Sequence, residues 1–340
     1  MSAPTVTVVV PTHQRRASVV RLLRALQTQE LPTREFEAVV AVDRSTDGTG
    51  AAVDALETAF TIRRVDSRGR GRAAACNAGV DAAAGRVIVL LDDDMEPSPS
   101  LLSGHLAAHR GAAPVCVIGA APVRVDTSSS FTERYVAQRF DIHLAKLQRD
   151  GPTTLRDFYS GNASIPRSVF LEIGGFDESF TAYGNEDLEL AFRLQRAGVA
   201  LRYDASAVAH QRYTKGFAGL ARDTIAKGRT AVLLAGMHPD TFDELQLSQL
   251  DVASRRWRVV RALLLATSRR RPAVTDLLVR AADAAERSGL GRRRVFYAFM
   301  LDYFYWAGAA VALAGTPRDP RLDALHRDVH DGPIRLLLHR

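Results

Sequence analysis

Three consecutive aspartates, Asp92, Asp93 and Asp94, follow the five apolar residues Val87–Leu91. Carboxylates that emerge together from a buried strand repel one another unless a cation is present. Hard oxygen ligands suit Mg²⁺ or Mn²⁺, and Mg²⁺ usually takes one or two carboxylates plus substrate phosphates. The chemistry these residues point to is a metal-bridged diphosphate; a solvated acidic turn is the plainer alternative. A second acidic pair, Glu186-Asp187, opens a helical pattern carried by Leu188, Leu190 and Leu194. Such carboxylates serve either as partners of the helix dipole or as a general base that takes a proton from an attacking alcohol. His210 follows a strand-like run, Ala205 to Ala209, as a candidate neutral metal ligand or a structural histidine.

Other candidates sit where apolar runs end. Pro11-Thr12-His13-Gln14-Arg15 offers a hydroxyl and a guanidinium whose rigid fork of donors suits phosphate. Asp43 either accepts from a base or ribose or caps the next helix. Gly69-Arg70-Gly71-Arg72 adds cations and small residues that let backbone approach a phosphate. The spacing Gly69-x-Gly71-x-x-Ala74 superficially matches a dinucleotide fingerprint, but that motif belongs at the first strand of its fold and here follows the third.

The elements that must position these groups alternate. Thr5–Val10, 36–42, 62–66 and 87–91 read as strands, and 17–29, 51–60 and 73–83 as helices. Alternation of this kind implies right-handed crossovers and a parallel sheet whose ligand crevice lies beyond the carboxyl ends of the strands. Residues 115–125 read as one or two further strands, 188–198 as a helix and 200–203 as a short strand. From Phe217 to about Gly315 the pattern is helical, with breaks at His238–Pro239, Pro272 and 289–291. The fold class is α/β: a Rossmann-like, mostly parallel sheet flanked by helices, with a helical C-terminal region.

The ordered set Val-Pro-Thr-x-x-Arg15, Asp43-x-Ser-Thr-Asp-Gly-Thr, Asn77-x-Gly79, Leu-Asp92-x-Asp94, Gly174-Gly-Phe-Asp-Glu178, Glu186-Asp187-x-Glu-Leu190 and the later His210 resembles family 2 glycosyltransferases of the GT-A fold over about residues 5–213. The resemblance implies an inverting transferase that uses a nucleoside-diphosphate sugar, a hydroxyl acceptor (small molecule, saccharide or lipid-linked) and Mg²⁺ or Mn²⁺. On matching positions, Pro11, Thr12, Arg15, Asp43, Arg72, Asn77, Asp92 and Asp93 would bind the nucleotide sugar. Asp94, Asp92 and His210 would hold the metal. Gly161, Asn162, Gly175, Phe176 and Asp177 would form the acceptor side, and Asp187, or its neighbour Glu186, the base. The sequence departs from the family's pattern at Arg44, at His13-Gln14, and at Cys76, where an arginine often precedes the asparagine. The expected domains are 1–215, catalytic, with a nucleotide-binding half (1–120) and an acceptor half (121–215), and 216–340, helical.

Composition bounds the rest. With 340 residues, 46% hydrophobic and 24% charged, the chain has ample material for a core, and two cysteines are too few for a disulfide framework or a four-cysteine zinc site. No export signal is visible near Met1, so a cytoplasmic location is expected. The net charge of +7 is partly local: residues 254–272 hold seven arginines and no acid. Two readings of the C-terminal region follow, a peripheral contact with the inner face of the membrane and a helical subdomain packing on the core or on a second subunit. Asp302 interrupts the one stretch near the length needed to span a bilayer. Rival functions are a nucleotidyltransferase, which calls for a Lys-containing glycine-rich loop that Pro11–Arg16 lacks, and a nucleic-acid-binding module, which leaves the three aspartates unexplained.

Overall fold

Seven residues of unbroken β-branched and apolar character make the first strand, β1 (Val6–Thr12), fully buried along its length. In α1 (Arg16–Leu26), Val19, Leu22, Leu23 and Leu26 recur at helical spacing and are all buried, so one stripe covers the sheet. The pattern repeats through β2 (Phe36–Val42), α2 (Thr49–Asp54), β3 (Thr61–Asp66), α3 (Gly71–Asp81) and β4 (Val87–Leu91). Gly79 lets α3 lie close on β1: a Cβ there would stand 2.4 Å from Val9 Cγ1. The computed structural model describes residues 3–338 except 68, 112, 272 and 316–318, with backbone only from 330 onward. The helix break expected at Pro272 falls on one of these exceptions.

Beyond β4 the chain adds β5 (Met95–Pro97), α4 (Leu101–Ala108), β6 (Val115–Ala120), α5 (Phe131–Asp150), β7 (Asn162–Pro166), α6 (Arg167–Glu172), α7 (Glu186–Arg196) and β8 (Ala200–Gln211). The strands form one sheet in the order β3-β2-β1-β4-β7-β6-β8-β5. β1, β2, β3 and β4 run parallel, as do β6 and β8, whereas β7 is antiparallel to both β4 and β6. The sheet is therefore mostly parallel and helix-flanked, as the alternation implies, with one reversed strand, β7, in its interior and another, β5, at its edge beside β8. Its core gathers Val8, Val10, Leu22, Leu26, Val40, Val89 and Leu91.

The chain forms two compact units: Met1–Asp126, Val136–Thr181 and Glu186–Tyr213 in the first, and Thr127–Tyr135, Ala182–Asn185 and Thr214–Arg340 in the second. The second is helical, with α8 (Phe217–Met237), α9 (Arg255–Arg270), α10 (Ala273–Arg287), α11 (Arg294–Leu313) and α12 (Pro320–Leu338). Within it α8 and α11 touch backbone to backbone. A Cβ on Gly228 would lie 2.0 Å from the Tyr305 carbonyl oxygen, and one on Gly308 1.9 Å from that of Ile225. Asp302, which breaks the apolar run of α11, accepts from Arg261 at 2.8 Å and from the Trp257 indole at 2.7 Å.

Candidate nucleotide-sugar site

The acids at the end of β4 are held apart by two arginines. Arg15 donates to Asp93 and Asp94, each at 3.1 Å. Arg72, on the first turn of α3, donates to Asp92 at 2.8 Å and reaches Asp187, on the first turn of α7, at 3.4 Å. One guanidinium thus joins carboxylates from two distant stretches of chain. Its charge is secure: burial opposes it, but Asp92, Asp187 and Glu186 raise its pKa well above the ordinary range.

The three aspartates differ in environment. Asp93 is buried, accepts the Thr12 hydroxyl at 2.7 Å, and burial pushes its carboxyl up to about 6 against the pull of Arg15. Burial and the charge of Asp92 raise Asp94 as well. The Asp92 side chain is 34% exposed. Gly161 is what gives Asp92 room: its carbonyl accepts the Asp92 amide at 3.0 Å, and a Cβ there would stand 2.6 Å from Asp92 Oδ2.

The acidic pair is asymmetric too. Glu186 is 4% exposed, whereas the Asp187 side chain is 26% exposed. Asp187 Oδ1 accepts the Ser160 hydroxyl as well as Arg72. Ser160 is fully buried, and nothing in its type or spacing marks it in the sequence.

Several expected site residues turn out to hold structure. Asn77 spends its side-chain amide on the 174–178 loop: its nitrogen donates to the Phe176 carbonyl at 2.9 Å and to Glu178 at 3.0 Å, and its oxygen accepts the Phe176 amide at 2.8 Å. Gly175, at φ +67°, belongs to the same clasp, since a Cβ would lie 2.6 Å from Asn77 Oδ1. Phe176 is buried with Arg72 over its ring at 5.7 Å, and Asp177 closes its own turn onto the Ser179 amide. Asn162 is fully buried and bonded to the Ala120 and Ala207 carbonyls and to His105.

Asp43 accepts the Gly71 amide at 2.9 Å and so fixes the loop that carries Arg72; the cap position of α2 is Gly48. Pro11 is buried within β1, in register with Ala41. His210 pairs with Glu96 across β5 and β8 and lies near Glu96 and Arg124, while the next residue, Gln211, reaches Asp94. Alternation along a strand sends neighbouring side chains to opposite faces, so the structure does not gather His210 with Asp92 and Asp94. Among the described residues no group of three or more His, Cys, Asp or Glu converges as a metal cage.

A mostly parallel sheet with acids at the end of its fourth strand, facing a helix-borne aspartate, defines a GT-A-like fold. Residues 7–174 match the family model described as Glycosyl transferase family 2, and residues 139–215 one described as N-terminal domain of galactosyltransferase. Residues 7–174 thus carry a glycosyl transferase family 2 region. Validoxylamine A glucosyltransferase of Streptomyces hygroscopicus subsp. jinggangensis is 30% identical over 223 residues, 58% of this chain and 53% of that protein. Pre-mycofactocin glycosyltransferase of Mycobacterium tuberculosis is 30% identical over 252 residues, 72% of this chain and 50% of that protein. The chain spans about half the length of these curated relatives. The mannosyltransferase PcManGT from Pyrobaculum calidifontis, solved in complex with GDP-Man and Mn²⁺, shares the fold with a TM-score of 0.58 at 21% identity, covering 92% of this chain and 88% of that one.

Proposed function

We propose that the chain transfers a glycosyl group from a nucleoside-diphosphate sugar to a hydroxyl acceptor, with inversion at the anomeric carbon and Asp187 as base. The observation that carries this reading is Arg72 spanning Asp92 and Asp187, which brings a phosphate-side acid and a candidate base to one guanidinium. Of the adjacent pair, Asp187 rather than Glu186 has the exposure an acceptor requires.

In the proposed reaction the acceptor oxygen bonds to the anomeric carbon while the bond from that carbon to the diphosphate oxygen breaks. The electron pair leaves with the diphosphate, and Asp187 takes the acceptor proton. Arg15 and Arg72 hold positive charge beside the leaving group, which strengthens transition-state binding where negative charge grows. Ser160 orients the Asp187 carboxylate through Oδ1.

A divalent ion fits the donor set. Asp92 and Asp94 are hard oxygen ligands, the repulsion that the Asp92 charge exerts on Asp94 is what a cation relieves, and two carboxylates plus a substrate diphosphate make an ordinary Mg²⁺ or Mn²⁺ site. When bound, the ion would act as a Lewis acid that neutralises the departing diphosphate. The fold-sharing mannosyltransferase carries GDP-Man and Mn²⁺, and this donor class and kind of ion are proposed here as well.

The test is a thermal-shift panel of nucleoside diphosphates and nucleotide sugars with and without Mn²⁺, followed by NMR of the product anomer. A ligand that binds only the folded state raises apparent stability. One base should raise the midpoint in a Mn²⁺-dependent way, and the product should carry inverted configuration. A retained anomer, or no nucleotide that stabilises, contradicts the proposal.

A further inference from the structure

We infer that the first three turns of α9 and the first two turns of α11, in the helical second unit, form a docking surface for an anionic phospholipid bilayer. The surface is apolar and cationic at once. Val260, Leu263, Val295 and Phe299 are 45%, 49%, 54% and 38% exposed. The Trp257 and Phe299 rings meet at 4.6 Å and bring the two helices together, while the Trp257 indole and Arg261 are both anchored on Asp302. The arrangement is therefore fixed by packing.

Exposed arginines flank this apolar strip: Arg256 at the start of α9, and Arg292, Arg293 and Arg294 where α11 begins. The nearby acids are already engaged, Asp251 with Arg258 at 2.6 Å and Asp302 with Arg261. Two helix N-termini add further positive potential.

An occupant must cover the apolar side chains and neutralise the arginines together. An anionic bilayer interface does both, with Trp, Phe and aliphatic groups at the acyl boundary and guanidinium groups on headgroup phosphates. Nucleic acid answers only the charge, because exposed valine and leucine gain nothing against phosphates. A second copy would set arginines against arginines. α11 is long and apolar enough to cross a membrane by length and composition, but half of its most apolar window is buried inside the protein, where Tyr303–Ala310 pack. The docking surface comprises only its first two turns.

The experiment is co-sedimentation of the full chain with vesicles of phosphatidylcholine alone and of equal parts phosphatidylcholine and phosphatidylglycerol, at low and high salt. Its readout is independent of the proposed transferase reaction. The chain should pellet with the anionic vesicles only, and less at high salt. The double variant Arg256→Gln/Arg293→Gln should partition about thirtyfold more weakly, from about 1 kcal/mol per arginine at an anionic surface. The surface variant Val295→Ser/Leu263→Ser should also lose binding. No pelleting, equal pelleting with neutral vesicles, or full binding by both variants overturns the inference. So does tighter binding to duplex DNA or RNA at the same ionic strength.

Discussion

Gly161 illustrates how much of this site is set by atoms that are missing. A methyl group there would press on the Asp92 carboxylate at 2.6 Å. Gly161→Ala should therefore displace Asp92 and weaken Mn²⁺-dependent nucleoside diphosphate binding about tenfold, within the range that overpacking costs. Titration calorimetry checks it, and an unchanged affinity contradicts the placement. Elsewhere residue type says less. The side-chain amides of Asn77 and Asn162, both candidate site residues, bond backbone groups and neighbouring side chains. A buried amide has to find such partners, since leaving it unpaired costs about 1–3 kcal/mol. The sequence lists donors and acceptors without saying which are already spent.

At the scale of elements, β1, β2 and β4 were legible because strands buried on both faces read as continuous apolar runs. β7 was not. Its Asn162 and Ser164 look like loop residues, but α4 and its C-cap residue supply their partners: His105 bonds Asn162 at 2.9 Å and His109 bonds Ser164 at 2.7 Å. α4 itself was hidden behind the Pro-Ser-Pro-Ser run and by Gly104, which packs against Ala207. The same two histidines carry a pH prediction. Burial lowers both to about 4 from an ordinary 6.5. The unfolded chain takes up their protons between those values, so the stability they contribute is present above pH 6.5 and lost as pH falls toward 4. His109→Gln keeps a hydrogen-bonding partner for Ser164 without a titratable ring. Wild type should therefore lose thermal stability relative to His109→Gln across that window, and a midpoint difference that does not change with pH contradicts it.

Across the whole molecule the charge is divided. The sequence totals +7, yet the first unit gathers Asp92, Asp93, Asp94, Glu186 and Asp187 around Arg15 and Arg72, while residues 254–272 of the second hold arginines without acids. Net charge read over the full chain points toward an anionic partner and conceals the acidic site. Ordered motifs pointed to these acids, because Asp92–Asp94 follow a strand and Glu186-Asp187 open a helix. The register that aims Gln211 rather than His210 at Asp94 depended on pairing between β5 and β8, which spacing does not encode. The most direct measurement on the account as a whole is Asp187→Asn, assayed for glycosyl transfer and for nucleoside diphosphate affinity with Mn²⁺ on the same preparation. The amide keeps the shape but cannot take a proton, so transfer should fall by about 10²–10⁴-fold, the usual contribution of a general base, with affinity nearly unchanged. Turnover close to wild type would show that another group removes the acceptor proton.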